Sequence, residues 1–563
     1  MRKSVLIFGF IFSLLLGVGF SQTSDEGKSA SPAIESSESQ PNENSSKMDE
    51  APAEAKEEEK SIDQKLDEQF GKITGPFTSA IFSSININGY GVLWIILWLA
   101  MAGMVCTIVF KFVNFTAFGL AIRTIKGKYS SKNDPGEISH FQALSSAVSG
   151  TVGLGNIAGV AIGISIAGPG VAFWLFLAGF LGMATKFAEC TLGVRYRETD
   201  SDGKIHGGGM YYLKKGLAER GMAPLGQVLA IFFAIFCVFA SFGGGNVFQV
   251  NQTTAQLINV TGGEGNSFFA THQWVFGIVL AVITGLVILG GIQGIAKVTS
   301  KLVPAMCFVY IISALIVLVV NFDKLGGAFT MIITEAFQPR AAVTGGFLAA
   351  FIWGIRRATF SNEAGIGSAA IAHAAVRTKK PASEGVVALL EPFIDSVVVC
   401  SMTSLVIVSS MTFGGSGDFA VNGVEQNFVA GNNNSAFGIG LTSLAFESVH
   451  TSFRYILFIC VLLFAFSTLI TWSYYGLQAW QYLFGKSKIM ANAYKVIFCI
   501  VIVVGSSASM GSAVEFSDAA LFAMSIPNLI GLYLLVPIVR KEYAEYLSYT
   551  RKIDNGASVE DTE

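Results

Sequence analysis

The sequence predicts an all-α integral membrane protein of about 11 transmembrane helices, a five-plus-five inverted repeat with one extra N-terminal helix and two broken helices. Three observations predict it: an apolar composition, a succession of membrane-length apolar runs, and two related glycine-rich interruptions. Of 563 residues, 52% are hydrophobic and 13% charged, whereas soluble domains carry about 25% charged residues. Mean hydropathy is +0.56. The 61 glycines fit as well, because Gly is more frequent in spanning helices than in soluble ones. A net charge of −2 gives no signal for nucleic acid or an acidic partner. All seven cysteines lie in apolar runs without CxxC or metal-ligand spacing, and read as small core residues.

The chain opens Met1-Arg2-Lys3, followed by an apolar run from Val5 to Phe20 and Ser21. This is signal-peptide patterning, assigned to residues 1–21; the run is short for a bilayer span. Residues 22–68 are rich in Ser, Glu, Lys, Asn and Pro, with the charge run Glu57-Glu58-Glu59. Such a segment has too little apolar surface to fold, so a disordered acidic periplasmic tail is expected. The membrane domain then spans 69–542, with repeats at about 141–322 and 345–539, and 543–563 form a cytoplasmic C-terminal tail.

Apolar segments fall at 90–112, 141–166, 170–194, 225–257, 273–294, 302–322, 345–373, 385–412, 453–482, 493–509 and 515–539. With the tail outside, alternate loops should hold the Lys and Arg. They largely do: Arg123, Lys126 and Lys128, then Arg195, Arg197 and Lys204, then Arg377, Lys379 and Lys380, then Lys486 and Lys488, and finally Arg540 and Lys541. The outside stretches 259–272 and 413–450 contain neither residue, and the exception is 323–344, with Lys324 and Arg340. The expected location is the cell (inner) membrane, with the C-terminus cytoplasmic.

Two segments interrupt otherwise smooth helices. Gly153-Leu154-Gly155-Asn156 aligns with Gly365-Ile366-Gly367-Ser368, and each opens a block of five spans, one starting inside and one outside. Glycine-broken helices at matching places in oppositely oriented halves point to an inverted-repeat transporter. Unwound backbone in a bilayer needs satisfaction. Freed amides can hold a carboxylate, and freed carbonyls can replace water around a cation. The alternative is that Gly only permits close helix packing. Gly153-x-Gly155-x-x-Ala158 also fits a dinucleotide fingerprint, but the residues after it form a spanning helix rather than a strand-flanked unit with an acidic residue. No enzyme motif is present, so no catalytic residue or organic cofactor is expected.

Further pieces carry a family resemblance: Ala167-Gly168-Pro169-Gly170 leading to Phe173-Trp174, Gly207-Gly208-Gly209-Met210-Tyr211-Tyr212, Phe360-Ser361-Asn362-Glu363-Ala364-Gly365, Glu391-Pro392-Phe393-Ile394-Asp395 and Trp472-Ser473-Tyr474-Tyr475-Gly476. Together they resemble the alanine or glycine:cation symporter family over roughly 90–542. Departures are Ala167 for Gly, Leu175-Phe176 after the Phe-Trp pair, and Leu477-Gln478 after Gly476. The family is similar in fold to the bacterial leucine transporter class. The resemblance implies sodium-coupled uptake of alanine or glycine, with Na+ as coupling ion. It places the Leu154 and Gly155 amides at the substrate carboxylate and the Ser149 and Val152 carbonyls at sodium. It also makes Ser467 and Thr468 completers of the sodium shell, although hydroxyls bond their own helix too.

Thr151, Gly153 and Asn156 belong to the first break, where polar side chains hold substrate or satisfy local backbone. Gln249 is a substrate-binding candidate or an interhelical bond; Asn251 shares that choice. Phe351 and Trp353 before the second break, and Trp472, are candidates for an aromatic wall around a small substrate or are core residues. The intramembrane charges Lys186, Glu189, Arg356, Arg357, Glu363, Glu391 and Asp395 count as functional by default. Glu363 is the gate or ion candidate, Lys186 and Glu189 sit at neutralising spacing, and Glu391 and Asp395 read as near a solvated end. The competing functions are a proton-coupled or other amino-acid symporter, and a substrate-binding sensor or channel.

Overall fold

The computed structural model describes residues 62–559, apart from 88–89, 132, 202, 290, 339–345, 414–418, 422 and 427–437. The expected signal peptide and most of the tail lie outside the described residues. Each expected apolar segment falls on a helix or helix pair. In chain order these are α1 Ile62–Ile81, α2 Trp94–Val109, α3 His140–Thr151 and α4 Gly155–Ala167, and α5 Val171–Arg195. Then come α6 Gly209–Glu219, α7 Ala223–Val260, α8 Gln273–Ile288, α9 Gly291–Val320, α10 Phe322–Phe337 and α11 Gly346–Asn362. The last are α12 Ala370–His373, α13 Pro381–Ser409, α14 Ile439–Glu447, α15 Phe453–Phe484, α16 Lys488–Ser507 and α17 Met510–Asp554. Among the described residues, seven of these helices are long and apolar enough to cross a bilayer, and α3 with α4, bent by 50°, passes the same test as one span.

Local chemistry sets the ends. Ser139 and Gln142 form a reciprocal capping box at the start of α3. Ser487 and Ser509 cap α16 and α17 with their hydroxyls. Outward faces carry exposed apolar side chains such as Val282, Leu286, Val319 and Ile500, which suit hydrocarbon rather than water. The polar and charged groups Lys186, Arg357, Glu391 and Asp395 are instead fully buried.

Several expectations change. Residues 62–68, assigned to the disordered tail, begin α1. The helix forms because its apolar side has partners: Phe70 packs edge-on against Phe516, and Phe77 against Phe239. Within the expected C-terminal tail, residues 543–554 continue α17 as helix. Its last turns are tied down by Thr124–Tyr546 (2.8 Å) and Tyr129–Asp554 (3.0 Å) hydrogen bonds. The expected outside loop at 323–344 contains α10, and 413–450 contains α14. Residues 291–294 belong to α9, which starts at Gly291 with a φ of +64°.

Three helices widen locally to π geometry: Gly155–Gly159 at the start of α4, Gly243–Val247 within α7, and Phe393–Cys400 within α13. Such single-turn widenings concentrate at functional sites, and here each one borders a broken helix.

Candidate functional site

The first break is held open by side chains. α3 ends at Thr151 and α4 begins at Gly155, which leaves amides and carbonyls without helical partners. The Gly153 amide donates to Asn156 Oδ1 (2.9 Å), and the Leu154 amide donates to Gln249 Oε1 (3.0 Å). Gln249 is oriented by its own Nε2, which donates to the Gly244 carbonyl at 2.8 Å beside the π turn of α7. The Ser149 carbonyl accepts from Ser467 Oγ (3.3 Å) and Thr468 Oγ1 (3.2 Å) on α15. Ser149 Oγ donates to the Ser467 carbonyl (2.8 Å) and accepts from Thr471 Oγ1 (3.0 Å). Gly153 is required here for space: a Cβ would collide with Thr468 Oγ1 and lie 3.1 Å from Gln249 Oε1.

The second break differs in kind. α11 ends at Asn362, and Glu363, Gly365 and Gly367 all have positive φ (57°, 89° and 83°). Glycine adopts this freely, but for Glu363 it costs roughly 1–2 kcal/mol. Matching sequence motifs therefore serve different needs, side-chain clearance at 153 and left-handed backbone at 365 and 367. Glu363 has a donor for each of its two oxygens, Trp472 Nε1 at 2.9 Å and the Ser368 hydroxyl. The Gly365 carbonyl accepts from Asn528 Nδ2 (2.8 Å), whose amide also bonds Glu189 (2.6 Å).

The two breaks meet at Asp395. Asn156 Nδ2 donates to Asp395 Oδ1 at 2.6 Å, Ser361 Oγ donates to the same oxygen at 3.0 Å, and Ser396 Oγ donates to Oδ2 at 2.8 Å. A carboxylate with these donors and no exposure is the opposite of the solvated group expected near a helix end. The π turn over Phe393–Cys400 displaces the residues around Asp395 from ordinary α-helical register. A sequence signal existed: an apolar-segment carboxylate with no basic residue one turn away.

Most, but not all, expected site residues converge. Ser149, Gly153, Leu154, Asn156, Gln249, Ser467 and Thr468 surround the first break. Gly155 touches the second, since a Cβ on it would lie 3.2 Å from Ser361 Cα. Val152 caps α3 through its amide to the Val148 carbonyl (2.7 Å). Trp472 lies against Gly245 and Glu363. Thr151 turns back to its own helix, 3.3 Å from the Ala147 carbonyl, so it satisfies local backbone. Asn251 makes an interhelical bond to the Ala508 carbonyl (2.6 Å).

Phe351 and Trp353 lie apart from the first break, and Phe351 lines a cavity that reaches Asn362 and Ala364 at the second. α11 stays helical to Asn362, which carries them roughly 16 and 13 Å along the axis from its end. Phe351 packs against Trp174 at 5.0 Å, and Trp353 lies under the guanidinium of Arg356 at 4.6 Å. Both arginines bond Asp518 of α17. Lys186 does not neutralise Glu189; it pairs with Glu391 at 2.9 Å, both fully buried. His373 bonds Glu384 at 2.6 Å.

Residues 76–560 match the family model described as "Sodium:alanine symporter family". The chain is 36% identical over 465 residues, 82% of its length, to the sodium/alanine symporter AgcS of Methanococcus maripaludis, of which 96% is covered. It is 31% identical to the probable sodium/glutamine symporter GlnT of Bacillus subtilis, with 81% and 88% covered. Among solved structures, the crystal structure of MhsT in complex with L-phenylalanine aligns at TM-score 0.49 and 15% identity, covering 74% of this chain and 99% of that one. With its many apolar helices and relatives that are transporters rather than enzymes, this multi-pass membrane protein, a secondary amino-acid symporter, belongs to the sodium:alanine symporter family.

Proposed function

We propose that this protein takes up alanine or glycine together with Na+ by alternating access, in the cell inner membrane, with its N-terminal tail outside and its C-terminus in the cytoplasm. The observation that carries the reading is the Ser149 carbonyl faced by both the Ser467 and Thr468 hydroxyls. Hard cations take such oxygen ligands. Five residues on from Ser149, the Leu154 amide is held by Gln249, and a substrate carboxylate can displace that side-chain oxygen. Sodium would thus order the first break, and the substrate would bridge toward Asp395 and the second. Ion and substrate drive the cycle to the extent that they bind one conformation more tightly than the other. The basic loops around Arg123, Arg195 and Lys379 support the inside assignment.

The test is radiolabelled uptake into proteoliposomes under an imposed sodium gradient, with competition by glycine, L-alanine, D-alanine and glutamine. Alanine uptake indifferent to the sodium gradient removes the coupling. Competition by glutamine but not alanine or glycine removes the substrate assignment.

A further inference from the structure

The charged groups at the start of α3 and the end of α12 lie outside the substrate and ion site. They join the ends of α3 and α12 that lie away from the breaks. Ile138, just before α3, forms a parallel bridge with Val376, just after α12. The Glu137 amide donates to the Ala375 carbonyl (2.8 Å), and the Arg377 amide donates to the Ile138 carbonyl (2.8 Å). Arg197 clamps this seam from the side. Its Nη1 donates to the Ala374 (2.8 Å) and Val376 (2.5 Å) carbonyls, and its Nη2 to those of Pro135 and Thr378 (both 2.8 Å).

One carboxylate lies across the same seam. Glu384 of α13, with no exposure, bonds His140 Nδ1 of α3 through one oxygen and His373 Nδ1 of α12 through the other. Among the described residues its ion-pair partners are these two histidines. Lys186 of α5 is taken by Glu391, and the bonds of Arg197 go to carbonyls. A fully buried carboxylate without a cation is strongly unfavourable. A proton on this triad, whether on an imidazole or on the carboxyl group, relieves that cost. His373 Nε2 also stands 3.5 Å from Glu391 Oε2, too long for a hydrogen bond but next in line. The other titratable groups within electrostatic reach are Cys190 of α5, Tyr546 of α17 and Arg197; Arg197 spans the seam through its carbonyl bonds, and a guanidinium keeps its charge throughout. Ser139, next to His140, is exposed.

We infer that His140, Glu384 and His373 form a proton-binding site, separate from the substrate and ion site, that latches the inner ends of α3 and α12 together. With the proton bound, Glu384 is paired to an imidazolium across the seam and the ends stay closed. With the proton lost, both imidazoles are neutral, the ion pair across the seam is gone, and the carboxylate is left with two hydrogen bonds from neutral rings, so the seam opens more readily. Losing the imidazolium charge from a bond to a buried carboxylate is enough to shift the open-to-closed ratio about tenfold. The sign is fixed: acid on this side closes the latch, and alkali releases it. The latch rests on the proposed function only in that transport serves as its secondary readout.

The experiment places spin labels at Asn133 and Lys379, on either side of the seam, in the full chain reconstituted in lipid. Distance distributions are recorded between about pH 5.5 and 10, a range that reaches well above the usual histidine pKa. The separated population should rise about tenfold relative to the closed one across that range. It should be flat with pH in the His140→Gln/His373→Gln double variant. Should that variant not fold, Glu384→Gln keeps both hydrogen-bond partners and must also flatten the profile. A wild-type distribution that ignores pH, or a variant that retains the wild-type profile, overturns the inference. Alanine efflux at varied internal pH is measured in parallel. Absence of efflux at every pH counts against the proposed function, while the distances still decide the latch.

Discussion

Asn156 and Asp395 are joined by a 2.6 Å hydrogen bond that ties the first broken helix to a carboxylate also held by Ser361 of the second. Asp395→Asn removes the charge from this junction while preserving its size. Hydrogen bonds to charged groups contribute about 1.5–3 kcal/mol, so alanine uptake should fall about 10- to 100-fold. Uptake kinetics of the reconstituted variant check this. An unchanged rate would show that the breaks move independently of Asp395.

Ser467 and Thr468 face the Ser149 carbonyl from one turn of α15. Replacing either hydroxyl, by Ser467→Ala or Thr468→Val, should raise the sodium concentration for half-maximal uptake about tenfold, the loss of one ligand-strength contact. The alanine KM at saturating sodium should stay within a small factor. Sodium titrations of initial rates separate the two effects, and a selective rise in alanine KM would relocate the ion elsewhere.

Gly153 has no room for a side chain, because a Cβ would collide with Thr468 Oγ1. Gly153→Ala should abolish uptake while leaving a folded protein, since the contact is local to the break. Size-exclusion profiles and thermal unfolding in detergent establish folding, and uptake reports function. Near-normal uptake would mean that Thr468 is free to turn away.

The Lys186–Glu391 pair is completely buried at 2.9 Å. Lys186→Met alone leaves Glu391 buried without that partner and should destabilise the protein by about 3–5 kcal/mol. The double variant Lys186→Met/Glu391→Leu should recover most of that loss. Unfolding midpoints of the single and double variants give the coupling. Equal losses in both would show that packing, not charge, is responsible.

Phe351 sits away from the first break against Trp174. Phe351→Leu should therefore leave the alanine KM within about twofold. Trp472→Phe, which deletes the donor to Glu363, should lower uptake about tenfold. A broadened substrate range in Phe351→Leu, measured by competition, would return that residue to the substrate wall.

Much of this was legible in the sequence because the relevant physics is local. Apolar runs of membrane length, the basic loops, and glycines between them located the helices and both interruptions. The hydroxyl pair Ser467-Thr468 and the amide Gln249 stood out as polar groups in apolar segments, and both reach the first break. Less legible was which way a side chain faces once a helix bends or widens. Asp395 seemed solvated until the π turn of α13 placed it between the breaks. Lys186 and Glu189 have neutralising spacing on one helix, yet each finds its partner elsewhere, in Glu391 and Asn528. Phe351 and Trp353 were close to the second break in sequence, but an unbroken α11 carries them away from it.

By itself the sequence determined that this chain must live in a bilayer, and where its backbone gives way, because hydropathy and glycine conformational freedom depend on neighbours along the chain. Only the tertiary structure decided what satisfies the exposed backbone: Gln249 for the Leu154 amide, Ser467 and Thr468 for the Ser149 carbonyl, Asp395 for Asn156. A buried polar group must find its partner in three dimensions, and the choice among distant candidates depends on how helices pack rather than on the order of residues.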